Sequence, residues 1–328
     1  MPVTRARGEV VAADVPAARP QLAPLLRAGA TLSDGLVNGL RSAGVHHVWV
    51  QDDRAHPVQL LAPEVRLSAS AKLQRTFAAV AAGGGLDQAA HDALDDVVEV
   101  VLDLLALPSS APVLLDVAPD AAFDARHALG TCALGLLIAT HLIATDGPWA
   151  AWMGAHRPGG TDAGLGQLGV GLLLCDIGRH VRGAAPEEWV EVAGQLLEER
   201  SPFVLGTVLG HEQRFDAPGG VPPAFARIAA VADVVDARIR RGGHDELAPQ
   251  AEALVWAVGQ SGGAFDPAVV RALLEVVTPH PPGTCVEIDG ELGVVVEVDP
   301  HDHTKSRVAL PDGSVVDHAA IGLLPAAA

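Results

Sequence analysis

The chain has no tyrosine, and aromatic residues make up only 3% of its 328 positions. Its three cysteines, Cys132, Cys175 and Cys285, are odd in number and widely spaced. That argues against a disulfide scaffold, and the lack of any CxxC pair excludes a zinc ribbon. Positive charge is scarce too. The 22 Lys and Arg face 40 Asp and Glu, for a net charge of −18. Such a surface repels a nucleic-acid polymer, and no polybasic patch marks a membrane surface. A small phosphorylated ligand stays compatible if a metal supplies local positive charge. The N-terminal "MPVTRARGEVVAADV" carries arginines but no apolar signal core. The longest apolar run, "CALGLLIATHLIAT", is interrupted by His141 and is too short to cross a bilayer. A cytoplasmic protein is expected.

What is present is apolar bulk. Hydrophobic residues are 49% of the chain, enough for two or three domains with at least one sizeable core. Over residues 1–68 the pattern predicts a small α+β domain. "GEVVAADV" and "HHVWVQ" read as short strands. Between them "TLSDGLVNGLRSAG" opens on a Ser or Thr cap and closes on Gly44, as a helix does. Residues 69–279 read as helical. "HDALDDVVEVVLDLLAL" is amphipathic, and "DPAVVRALLEVV" opens with an Asp cap and a first-turn Pro. From residue 280 to 328 the period changes to alternation with "DG" turns, which predicts a β-rich module of three or four strands. The fold class is therefore mainly α, a helical bundle with a small domain at each end.

Two short motifs invite over-reading. "GLGQLG" fits a dinucleotide fingerprint, but 35 glycines make such fits cheap and no strand precedes it. "GQSGG" fits a nucleophile elbow, yet it follows a helix and reads as a helix C-terminus. His301 and His303 in "DPHDHTKS" sit in a polar turn between strands, and a solvated loop is the simpler reading. A more informative set is dispersed. His127 stands near the start of one helix, Asp176 follows the apolar run "LLLC", His211 lies in "LGHEQRFDAPGG", and Asp233 interrupts the apolar helix "AAVADVVDA". Four helical or helix-end segments thus each supply a histidine or carboxylate. Mixed His/Asp donors suit iron, manganese or zinc, and open positions on such ions activate water.

Taken in order, His127, "CDIG", "HEQRFDAPGGVP" and "ARIAAVADVVDA" resemble the HD-GYP subfamily of HD-domain phosphohydrolases. Members carry a His on one helix, a His-Asp pair followed by Ile-Gly-Lys, a "HHErwDGsGYP" loop and an "RIlaVaDvfDA" helix. The resemblance covers most of residues 1–279 and implies an HD-type bundle. It implies two or three metal ions that activate water to cleave a phosphodiester of cyclic di-GMP. Carried over by position, His127, Asp176, His211 and Asp233 are retained ligands, with Asp176 as the bridging carboxylate.

The departures from the pattern are large. Cys175 stands where the histidine of the pair belongs and ligates only as thiolate. Gly210 replaces the first His of the double histidine. Arg179 replaces the phosphate-contacting Lys. Gly220-Val221-Pro222 replaces Gly-Tyr-Pro. No histidine stands beside "EEWVEVAGQLLEE", where the family has another ligand. Glu99, ahead of His127, is a separate candidate for a first-helix ligand. About half the ligand set survives. The expectation is a degenerate HD-GYP-type signalling or interaction protein with weak or no hydrolysis, holding a reduced complement of Fe, Mn or Zn. Its expected partners are a cyclic dinucleotide or other phosphorylated small molecule, or a protein. The alternatives are a phosphohydrolase with a reduced metal site and a metal-free helical interaction module.

Overall fold

The hydroxyl of Ser33 accepts the N–H of Leu36 and so starts α1, Asp34–Ser42. Gly44, with φ +79°, ends the chain's helical course there. A computed structural model describes residues 1–15, 23–54, 63–106, 123–155, 160–241, 249–299 and 302–319. Around α1, the two expected strands form single antiparallel bridges instead of ladders. Val10 pairs with Thr31, Val11 with Val50, Val15 with Leu26 and Pro2 with His47. Bends at Ala12 and Ala13 break the extended run after one pair. The unit still has its own core, in which Val3, Val11, Leu32, Leu40 and Val48 pack together.

The helices that follow are α2 (Pro63–Ala81), α3 (Gln88–Ala106), α4 (Phe123–Thr145), α5 (Gly147–Ala155) and α6 (Gly160–Leu173). After them come α7 (Trp189–Leu196), α8 (Pro202–Gly210), α9 (Ala224–Arg241), α10 (Pro249–Gly259) and α11 (Pro267–Val276). α2 starts ahead of the expected boundary at residue 68. α4 is the central rod and touches α2, α3, α5, α6, α9 and α11. Leu134, Leu136 and Ile138 on it are wholly buried. The apolar run read as too short for a bilayer is part of a longer helix. By length and composition Asp124–Thr145 is able to cross a membrane, with a mean hydropathy of 1.8. Protein already surrounds it, however, since 67% of its most apolar window is buried within the fold. A helix that is apolar on all sides is what the middle of a bundle requires.

"GLGQLG" lies inside α6, with no strand before it among the described residues, and "GQSGG" begins on the last residue of α10. Neither cradles a phosphate or presents a serine on an elbow. His301 lies outside the described residues.

The C-terminal residues form one antiparallel sheet in the order β1 (Cys285–Ile288), β2 (Glu291–Val298), β3 (Lys305–Ala309), β4 (Val315–Ala319). Asp289 and Gly290 turn β1 into β2 with φ values of 52° and 88°, the paired positive φ of a type I′ hairpin. Val286, Val295, Val298 and Val308 make a separate apolar cluster. The sheet is attached at a junction after α11. Gln250 Nε2 donates to the Thr278 carbonyl at 2.6 Å, and Thr278 Oγ1 donates to the His303 carbonyl at 2.7 Å. The ring of His280 faces that of His318, with centroids 5.6 Å apart. An ion pair between Arg5 and Glu287 ties the N-terminal unit to β1.

His280 is buried, and burial together with the facing His318 lowers its pKa from 6.5 to about 4. Between those values the unfolded chain binds a proton that the folded chain does not, so stability falls as pH drops. The expected loss from pH 7 to pH 4 is about 3 kcal/mol for this group alone. Urea titrations at a series of pH values measure it, and His280→Phe should flatten that part of the profile.

Candidate metal centre

α9 carries Asp233 and Asp236 three residues apart, so both acids share one face. That face packs on α4, where His127 stands near the helix start. The third wall is the segment after α6. Leu172, Leu173 and Leu174 are buried and anchor it. The chain then turns through Asp176 into a short 3₁₀ turn, Ile177–His180.

His127 is gripped at both ring nitrogens. Nε2 meets Asp233 Oδ1 at 2.8 Å, and Nδ1 meets Asp236 Oδ2 at 2.8 Å. Asp176 Oδ2 lies 3.6 Å from the same Nε2. Asp236 is wholly buried and is held by Arg240, whose Nε and Nη2 donate to its two oxygens at 2.6 and 3.0 Å. Arg179 Nη1 pairs with Asp176 Oδ2 at 2.8 Å. Three carboxylates are therefore offset by three cations: His127 when protonated, Arg179 and Arg240.

Protonation follows from this arrangement. Burial pulls the His127 pKa down, but the hydrogen bonds to Asp233 and Asp236 outweigh it and carry the value up to about 10. Burial, and then repulsion from Asp233, raise Asp176. Burial also works to raise Asp233, yet its hydrogen bond to His127 leaves it lowered. Two close carboxylates have split, one holding its charge and the other giving it up more readily.

The donor set fits one divalent ion. His127, Asp176 and Asp233 each offer an atom, and these lie within 4.8 Å of one another. One imidazole with two carboxylates suits Fe, Mn or Zn. Asp236 accepts from Nδ1 and so leaves Nε2 directed at the site, the usual support of a metal-bound histidine. His211 is buried close by. Its Nδ1 donates to the Val208 carbonyl at 2.7 Å, and its Nε2 has no hydrogen-bond partner. Its nearness works to lower both Asp176 and Asp233, but it stands outside the compact group.

The other sequence candidates are placed differently. Cys175 lines the same cavity, but its thiol donates to the Gly171 carbonyl at 3.3 Å. Burial, then Asp233 and Asp176, push its pKa well up, so the thiolate that a metal needs is disfavoured. Cys175 is not part of the three-residue group. Gly210 offers no donor, and a Cβ there would lie 2.7 Å from the Ala226 Cβ. The close approach of α8 to α9 leaves no room for the family's histidine. Glu99 is exposed on α3 and takes no part. The cavity among His127, Cys175, Asp176 and Asp233 encloses about 10 Å³, about the room one water needs. Phe77 and His180 close its rim, their rings stacked 4.4 Å apart.

Sequence reading missed Asp236 and Arg240. The signal was present in "ADVVDARIR", where acids at i, i+3 and an arginine at i+7 fall on one helix face. Asp236 sits among apolar residues and looks like a surface acid until its depth is known.

No family model and no curated protein matches the chain. Among solved structures it is similar to Bd1817, described as a HDG"Y"P protein, from Bdellovibrio bacteriovorus. The identity is 15%, with 83% of this chain and 97% of that chain covered and a TM-score of 0.46.

Two outcomes follow from the geometry. At Gly130 a Cβ would sit 2.0 Å from Asp236 Oδ1 and 2.3 Å from Arg240 Nη2. Gly130→Ala should therefore cost about 2–4 kcal/mol by forcing a buried ion pair apart, measured by urea denaturation. In metal-free protein, the stability supplied by His127⁺ is fully present below pH 6.5 and is lost as pH rises through about 10. Melting temperatures should decline over that range, and Asp233→Asn should shallow the decline.

Proposed function

We propose that this chain is a degenerate HD-GYP-type protein, a signalling or interaction module with weak or no hydrolysis of cyclic di-GMP. The observation that carries this reading is the compact His127–Asp176–Asp233 set braced by Asp236. It brings together three of the four ligand positions that the resemblance carries over to this sequence. A bound divalent ion would supply a Lewis acid and a water of lowered pKa. The residues themselves position and protect. Asp236 fixes the ring of His127, Asp233 and Asp176 supply oxygens, and Phe77 and His180 limit water at the rim.

The same site supports impairment. Its donors suffice for one ion, whereas in-line cleavage of a phosphodiester by the family uses at least two. Gly210 cannot be replaced by a ligand without moving α8 from α9. The cavity among these residues has room for a water or an ion. A phosphorylated small molecule would meet Arg179 there only by competing with Asp176 for its guanidinium. A second reading, the metal-free interaction module, is favoured by the charge balance, because His127, Arg179 and Arg240 already neutralise the three acids.

Elemental analysis of protein purified without a metal-chelating column separates the two. The expected content is a measurable amount of at most about one ion per chain, lost in His127→Ala, and a content of zero favours the metal-free module. Cyclic di-GMP incubated with iron- or manganese-loaded protein should remain essentially uncleaved, because losing a water-activating ion removes several kcal/mol of transition-state stabilisation. Turnover comparable to that of an intact relative would refute the degenerate reading.

A further inference from the structure

Asp176 Oδ2 is contested. It lies 3.6 Å from His127 Nε2, facing the donor group, and 2.8 Å from Arg179 Nη1. An ion seated among His127, Asp176 and Asp233 competes with the guanidinium for this oxygen. The two partners differ in freedom. Ile177 is buried, and His180 is stacked on Phe77, so the backbone of the turn is fixed on both sides of Arg179. The Arg179 side chain, by contrast, is 40% exposed, against 21% for Asp176. Its guanidinium rests 5.2 Å from the Trp189 ring centroid, a face that holds it near the acid without enclosing it. The side chain can swing into water while the turn stays in place.

We propose that Arg179 is an internal occupant of the cation site, a built-in competitor that holds Asp176 and sets a low metal affinity. The inference rests on reading the cluster as a metal centre. A divalent ion binds only the fraction of molecules in which Arg179 has left Asp176, and its apparent dissociation constant rises by the inverse of that fraction. The substitution of Arg for the family's Lys strengthens the hold, because the planar guanidinium hydrogen-bonds a carboxylate along a fixed direction. Where an intact site uses the cation for substrate, this chain spends it on its own ligand.

Calorimetric titration of Mn²⁺ into the full chain tests this, with wild type, Arg179→Gln and Arg182→Gln compared. Arg182 is a nearby exposed arginine and controls for the general change in charge. Arg179→Gln should bind Mn²⁺ about tenfold more tightly, as if an occupant of about nine-tenths of the molecules were removed. Arg182→Gln should stay within about twofold of wild type, since exposed charges act weakly at a distance. The rise in melting temperature on adding Mn²⁺ should also be larger for Arg179→Gln. Measurable binding with equal or weaker affinity in Arg179→Gln overturns the role of Arg179 and leaves the metal centre standing. No binding in either protein overturns the metal centre, and this inference with it. If circular dichroism shows Arg179→Gln to be misfolded, Arg179→Lys serves instead. An affinity between the two expectations supports the proposal, and an unchanged or weaker one defeats it.

Discussion

Asp236 has no exposure to water, and a carboxylate in that position must be fully satisfied or it will not stay charged. The rest of the site is arranged around that demand. Arg240 closes on it from one turn further along α9, and His127 reaches it from α4. The contact that neutralises the acid is also the contact that aligns the two helices. Asp233, a turn earlier on the same face, then meets the opposite nitrogen of the same ring. Orientation of the imidazole, spacing of α4 from α9 and direction of the donor set are consequences of one buried charge.

Much of this was legible in the sequence. The helical period of residues 69–279 and the switch to alternation after residue 280 correspond to the observed helices and to a four-stranded sheet. Residue type and motif order point to His127, Asp176 and Asp233, and the three side chains meet. The same grounds point to His211, which stops short of the group. Its Nδ1 is committed to a backbone carbonyl, a local bond that no pattern of residue types reveals. Cys175 occupies a ligand's place in the motif order. Its thiol instead bonds back along the chain to Gly171. In the N-terminal unit the β-rich segments gave too regular a forecast, because two bends limit each contact to one pair. What sequence leaves out in each case is depth, or the backbone group a side chain is spent on.

The electrostatics of the whole chain and of the site run in opposite directions. The chain carries −18, yet within the cluster Asp176, Asp233 and Asp236 are each paired with a basic side chain. A strongly acidic surface draws divalent cations near without selecting among them. Selection then depends on whether a cation can displace positive groups already in place. Two of those are arginines, which do not deprotonate to make way. Only His127 can yield by losing a proton, so occupancy by metal is tied to proton release.

Gly130 makes a different point about how the site persists. With a Cβ excluded by Asp236 and Arg240, the three positions on two helices are a single unit to any process that changes them one at a time. Shortening Arg240 makes room at residue 130 but strands a buried carboxylate. Adding a methyl at 130 displaces the arginine that the carboxylate requires. Free-energy changes at these positions will not add. The trio can therefore be inherited long after any chemistry at the cavity has gone, held by mutual constraint rather than by use.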